Sequence, residues 1–228
     1  LLGGRKIVDE KEVHRLAQGH RNNLQTFHST NIAISTVRTA ITSLQYSHKY
    51  PTIFDGLGTK INTSIPLYAN INRALLGKTR GPSEFAKEAE RAAAQGFGII
   101  KCAPFDEVDP SSPISSLQPG IDRVAAIRLA VGTEVKLLVD CHSRFNISTA
   151  VKACNELSKL GISWFEEPLD PTSESDNLTK ISNQIDVPIA GGERGYGADY
   201  FLKIAQNGSV KIIMPDIKFC GGITEAWH

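Results

Sequence analysis

An α/β fold, a (β/α) barrel of the TIM type, is what this sequence predicts, and three observations predict it. From about residue 65, short apolar runs alternate with amphipathic helical stretches across short connections, the pattern of βαβ units around a parallel sheet. Acids end four successive runs: Asp140 in LLVD, Glu166 in WFEEP, Glu193 in AGGE and Asp216 in IMPD. Their steps of 26, 27 and 23 residues argue for one repeating unit. No G-x-G-x-x-G follows the first apolar run, which weighs against the alternative, a doubly wound open sheet. Six strands are expected, so the barrel is partial.

The elements follow in order. Residues 13–24 and 30–50 read as helices; in the second, Ile32, Ile34, Val37, Ala40, Ile41 and Leu44 recur near helical spacing. Pro51 punctuates, and residues 54–60 (FDGLGTK) form a turn-rich link. IPLYANI (65–71) is the first strand. The helix SEFAKEAERAAAQG (83–96) follows, with Ser83 placed to cap it and Glu84 in its first turn. FGIIKCA is the second strand, and a proline-rich connection over 104–120 leads to the helix 121–132. Strands at 135–140, 162–168, 187–193 and 210–216 then alternate with helices at 147–161, 173–185 and 197–208, and a last helix starts at GGITEAWH. Residues 1–64 are thus a mainly helical region and 65–228 the partial barrel.

Composition excludes several classes. With 228 residues, 41% of them hydrophobic, the chain can bury a sizeable core. A formal net charge of +1 gives no reason to expect nucleic acid or an anionic membrane surface. No apolar run approaches the roughly 20 residues that span a bilayer, and no secretory leader is visible. The four cysteines, Cys102, Cys141, Cys154 and Cys220, are scattered without a CxxC, which predicts reduced thiols and a cytoplasmic location.

In a barrel the C-terminal strand ends ring one mouth, where active sites sit. An acid at a single strand end is accounted for by capping a helix or pairing with a nearby cation. Three consecutive units ending alike point to a shared site instead. Carboxylates converging there repel one another unless a cation neutralises them. Oxygen-only donors select a hard cation, so Mg²⁺ fits better than zinc. Alternation along WFEEP sends Glu166 and Glu167 to opposite sides.

Taken together, VD at 139–140, WFEEP at 164–168, GGE at 191–193 and MPDIKFCGGITEA at 214–226 resemble the enolase superfamily, in its mandelate racemase/muconate lactonizing enzyme-like branch. The resemblance spans nearly the whole chain. It implies that residues 1–64 are the helical part of a capping domain and that 65–228 supply barrel strands one to six. It implies Asp140, Glu166 and Glu193 as the ligands of Mg²⁺, which makes Glu166 the metal-facing member of its pair and gives Glu167 a structural role. Lys101 in IIKCA matches the first lysine of the family's K-x-K motif, beside the substrate carboxylate; read without the resemblance, it is an exposed strand-end lysine. The second lysine of that motif is replaced by Ala103, which makes two-base racemisation or epimerisation unlike this chain.

The stretch VDCHSR resembles the D-x-H-x-R pattern of acid-sugar dehydratases of the galactonate and mannonate type. There His142 would be the general acid for the departing β-hydroxyl, and Arg144 would hold a carboxylate; a solvated histidine and a surface ion pair are the plainer readings. Asp216 resembles the aspartate that orients a general-base histidine on strand seven, and the resemblance puts that base beyond residue 228, with His228 on the wrong element to replace it. The family's opening capping strands are not found at the other end, so both ends read as cut. The implied activity is a carbon–oxygen lyase acting on a small sugar-acid carboxylate, with a homo-oligomer as the assembly the family favours. A catalytically incomplete piece of such an enzyme is the other reading. Lys101 as a Schiff-base lysine would leave the acids unexplained, Cys102 and Cys141 have no histidine partner evident, and Gly221–Gly222 reads as close packing more than as a phosphate site.

Overall fold

In the computed structural model, residues 7, 9–18, 27–58, 62, 64–77 and 79–227 are described. The order is α1 (Glu10–Gln18), α2 (Phe27–Ser47), α3 (Ile53–Leu57), β1 (Ala69–Asn70), α4 (Pro82–Ala94), β2 (Ile99–Cys102), α5 (Gln118–Val131) and β3 (Lys136–Asp140). It continues with α6 (Ile147–Ser158), β4 (Ile162–Glu166), α7 (Ser175–Ser182), β5 (Ile189–Gly191), α8 (Ala198–Asn207), β6 (Val210–Ile213) and α9 (Ile223–Trp227). The six strands lie in sequence order in one sheet, and the pairs from β1 to β5 are parallel. This is a partial (β/α) barrel with a helical region before it. Of the expected helix over 13–24, residues 19–24 lie outside the described residues. Among the described residues no helix is long and apolar enough to cross a membrane.

The chain divides into two compact units. One holds the described residues up to Ile65 with Gly192–Lys203 and the stretch from Ile213; the other holds Pro66–Gly191 and Ile204–Ile212. In the second unit, Ile100, Cys102, Leu137, Val139, Phe165 and Ile189 are at most 1% exposed. Phe105, Phe145 and Phe165 form an aromatic run against them, with ring centroids 5.0 and 5.9 Å apart. Each fully buried phenylalanine contributes on the order of 1.5–3 kcal/mol.

Several local expectations are corrected. The first strand shrinks to Ala69–Asn70, and Ile65 and Leu67 are exposed; apolar character alone does not make a ladder where pairing reaches only two residues. Ser83 does not cap α4. Gly81 is the cap residue and Pro82 opens the helix, a position where its missing N–H costs nothing. Helix α5 starts at Gln118, inside the proline-rich connection, with Pro119 in its first turn. Gly120 makes this start feasible, since a Cβ there would lie 2.2 Å from the Phe105 ring. The link 54–60 contains the short helix α3, begun by a capping box in which Thr52 Oγ1 accepts from the Asp55 amide and Asp55 accepts from the Thr52 amide.

In the first unit, Ile34 packs with Val13 and Tyr196, flanked by Val37 and Ile41. The innermost stripe of α2 is nevertheless polar: Asn31, Ser35, Arg38 and Thr42 are buried, while Ala40 and Leu44 are exposed. Gly222 (φ +92°) sits so close to α2 that a Cβ would lie 3.0 Å from the Ser35 carbonyl, and the Gly221 amide donates to Ser35 Oγ at 3.0 Å. The paired glycines serve close packing.

Candidate active site

Strand register brings three charged side chains to one face. Lys101 in β2 pairs with Leu138 in β3, and Asp140, two residues further on, pairs with Glu166 in β4. Side chains two apart share a face, so Lys101, Asp140 and Glu166 all point the same way. The Lys101 ammonium lies 3.0 Å from Asp140 Oδ2 and in direct contact with Glu166 Oε1. All three are buried, at 4%, 4% and 1% exposure. Burial pulls the Lys101 ammonium pKa down, but the charges of Asp140 and Glu166 outweigh it and hold the group above the usual lysine value. Burial likewise pushes Asp140 up, yet hydrogen bonding from His142 and the Lys101 charge keep its carboxyl below the usual aspartate value.

His142 reaches Asp140 by a turn and not by strand alternation, since β3 ends at Asp140. Its amide donates to Asp140 Oδ1 at 3.1 Å, and its Nε2 lies 3.3 Å from Asp140 Oδ2. The imidazole is 42% exposed, so one end of the ring meets the buried acid and the rest is accessible. His142, Ser143 and Glu167 have positive φ of 49°, 56° and 38°. Left-handed backbone at non-glycine residues costs on the order of 1–3 kcal/mol each, and here all three lie just past the adjacent ends of β3 and β4. The Cys141 amide donates a hydrogen bond to the Glu166 carbonyl (2.9 Å) and the Ser143 amide one to the Glu167 carbonyl (2.8 Å), which hold the two turns together. None of these three positions carries the glycine or asparagine that would have signalled the left-handed backbone.

Glu167 is buried on the other side of the pair. Its amide donates to the Ala190 carbonyl at 2.9 Å, and its Cγ lies 3.1 Å from where a Gly191 Cβ would stand. Gly191 clears room for it.

Arg144 Nη1 donates to the carbonyls of Asp106 (2.9 Å) and Val108 (3.2 Å), so this guanidinium braces the loop after β2. Two more arginines work on the same loop. Arg80 pairs with Asp106, and Arg123 forks onto Glu107 while donating to the Pro104 and Arg80 carbonyls. Sequence reading missed Arg80 and Arg123; their partners lie too far along the chain for any local motif to reveal them. Ala103 is buried, and its amide donates to Asn72 Oδ1 at 2.6 Å.

In the other compact unit, Glu193 stands two residues past β5, half-buried, 3.8 Å from Arg194 Nε. Asp216 is exposed and accepts from the Lys218 amide at 2.8 Å. His228 lies outside the described residues.

The donor chemistry of Asp140 and Glu166 suits a hard cation: two carboxylate oxygens aimed at one point. The described point is held by the Lys101 ammonium. Among the described residues, no group of three or more His, Cys, Asp or Glu side chains comes together to hold a metal ion. The described cysteines are all free and buried. Burial pushes the Cys102 thiol up to about 12 and Cys141 well above the usual thiol value, so neither is a thiolate nucleophile at neutral pH.

Residues 84–228 match the family model "Enolase C-terminal domain-like". The chain is 30% identical to a D-gluconate dehydratase of Thermoproteus tenax over 192 residues, 84% of this chain and 38% of that protein. It is 26% identical to a D-galactarolactone cycloisomerase of Agrobacterium fabrum over 200 residues, 85% of this chain and 48% of that one. The chain therefore spans less than half the length of these relatives. Among solved structures, a member of the enolase superfamily from Salmonella Typhimurium superposes with a TM-score of 0.82 over 96% of this chain and 61% of that chain, at 24% identity.

Proposed function

The chain belongs to the enolase superfamily, in its mandelate racemase/muconate lactonizing enzyme-like branch, and on that premise we propose that it is part of a Mg²⁺-dependent acid-sugar dehydratase. The reading rests above all on the buried convergence of Lys101, Asp140 and Glu166, with His142 seated on Asp140. By the motif match, Asp140, Glu166 and Glu193 are the residues expected to hold a divalent ion, which would supply positive charge to the substrate carboxylate. Lys101 adds a second positive charge where the α-carbon anion develops, the moment at which a fixed charge lowers the barrier most. A general base takes the α-proton, and the motif match expects that base beyond residue 228, oriented by Asp216. His142 gives a proton to the departing β-hydroxyl, which leaves as water, and the enol product becomes a 2-keto-3-deoxy acid. Asp140 holds the imidazole by Nε2 and leaves the rest of the ring accessible to substrate. The brace on the loop after β2 makes Arg144 a support for the site wall more than a substrate ligand.

The dehydratase relative supports this reaction class. The cycloisomerase relative points to a different reaction, on a lactone, and so defines what the assay separates. The chain and the complete protein are each incubated with a panel of sugar acids and lactones, with Mg²⁺ or a chelator. The expected result is a 2-keto-3-deoxy acid from the complete protein, formed only with Mg²⁺, and a loss of about 100- to 1,000-fold in kcat for Glu193→Ala. Lactone rearrangement without keto acid, or Mg²⁺-dependent turnover that survives Glu193→Ala, would overturn the reading. Metal binding without turnover by the 228-residue chain alone would identify it as a catalytically incomplete piece.

A further inference from the structure

Two carboxylates and one ammonium meet at a single buried point in the second unit. Two acids and one ammonium still leave one negative charge in excess in a place water does not reach, and buried charges call for matching charge nearby. The ammonium supplies part of that match now. A divalent ion using the same oxygens would need the same point, and two cations within a few ångströms of each other repel strongly in a buried site. Lys101 has somewhere to go. Its four-carbon stem is flexible, and Nζ already lies 5.7 Å from the centroid of the partly exposed Tyr68 ring, whose π face attracts a cation.

We propose that Lys101 is the resident cation of the acid pair, and that metal loading is an exchange in which its ammonium leaves the point between Asp140 and Glu166 and becomes available to a substrate carboxylate. The inference rests on the reading above for the premise that these acids take a divalent ion. It adds that the ion competes with a side chain already in place, and that loading the metal arms Lys101. Metal affinity in this protein is accordingly weaker than the acid pair alone would give.

The test uses Mn²⁺ as the probe. Calorimetric titration of the full chain is compared with Lys101→Met, and circular dichroism checks that the variant folds. The exchange predicts that Mn²⁺ binds Lys101→Met at least about tenfold more tightly, because no ammonium has to be displaced. A second measurement needs no variant: the unaltered protein is acylated at its amines with and without saturating Mn²⁺, and each lysine is read by mass spectrometry. Lys101 should be protected without the ion and gain reactivity with it, relative to the surface lysines. Equal or weaker Mn²⁺ binding by folded Lys101→Met, or unchanged Lys101 acylation at saturating Mn²⁺, would overturn the proposal. If Lys101→Met does not fold, the acylation result decides alone. Keto-acid formation is scored separately, so a chain that shows the exchange but no dehydration defeats the dehydratase reading and leaves this inference standing.

Discussion

Each compact unit buries one cation between two carboxylates, and the two arrangements are built for different ends. In the first, Arg38 of α2 donates from Nε to Glu10 at 2.7 Å and pairs through Nη1 with Glu225 at 2.9 Å, with His14 Nδ1 3.1 Å away. Its planar fork sends separate arms to α1 and α9, and Glu225 also accepts from the Ala198 amide at 2.9 Å. In the second, the Lys101 ammonium is a point charge, and the carboxylates of neighbouring strands converge on it. A fork holds partners apart in fixed directions, while a point charge can be replaced by another cation. The first cluster ties helices together; the second is an exchangeable site.

The contrast is broken most sharply at Arg38. Arg38→Ala should lower stability by about 3–5 kcal/mol, because two buried acids lose their shared partner, and urea unfolding would measure it. Mn²⁺ affinity should stay unchanged. A variant of near-normal stability would mean that the cluster is not a clamp. His142→Asn gives the opposite signature. On the proposed reading of His142 as the general acid, turnover of the complete protein should drop by about 100-fold or more with little change in unfolding midpoint. Unaltered kcat would leave His142 as a loop residue only.

Acid separates the clusters less strongly. Burial raises the Glu225 pKa, but the Ala198 amide and Arg38 outweigh it and hold the carboxyl below the usual glutamate value. A depressed folded-state pKa gives stability that is fully present above the unfolded-state value and lost as pH falls through the folded one. The first unit should therefore weaken below about pH 4.5, the usual range for a glutamate. Glu225→Gln should flatten that dependence; an unaltered acid-unfolding profile would remove Glu225 from the clamp. The smallest effect is expected at Ser143. Glycine adopts its φ of 56° without steric cost, so Ser143→Gly should raise stability by up to about 1 kcal/mol. A loss of stability in thermal melts would mean that the hydroxyl has a role the backbone angle does not reveal.

Much of the barrel was legible because strand and helix periods are local properties. VKLLVD, ISWFEEP and VKIIMPD read as strands from their apolar runs, and β3, β4 and β6 fall within them. Asp140 and Glu166 were visible as acids at strand ends, and their cation was not. Lys101 is 39 and 65 residues from them, and only strand register sets its face. In α2 the apolar spacing was real, yet Ser35, Arg38 and Thr42 turned inward, because Arg38 finds Glu10 and Glu225, and Ser35 and Thr42 find Gly221 and Thr224. A sequence cannot show that a polar stripe has partners waiting.

By itself, the sequence determined the six strand-and-helix repeats, the all-oxygen character of the acid set and the resemblance carried by its motifs, since spacing and side-chain chemistry are written in it directly. Tertiary structure alone decided that Lys101 closes on two acids, that His142 folds back by a strained turn onto Asp140, and that α2 buries charge. Each depends on side chains far apart in the chain meeting where water is excluded, and there a lone charge must be matched before the fold can close.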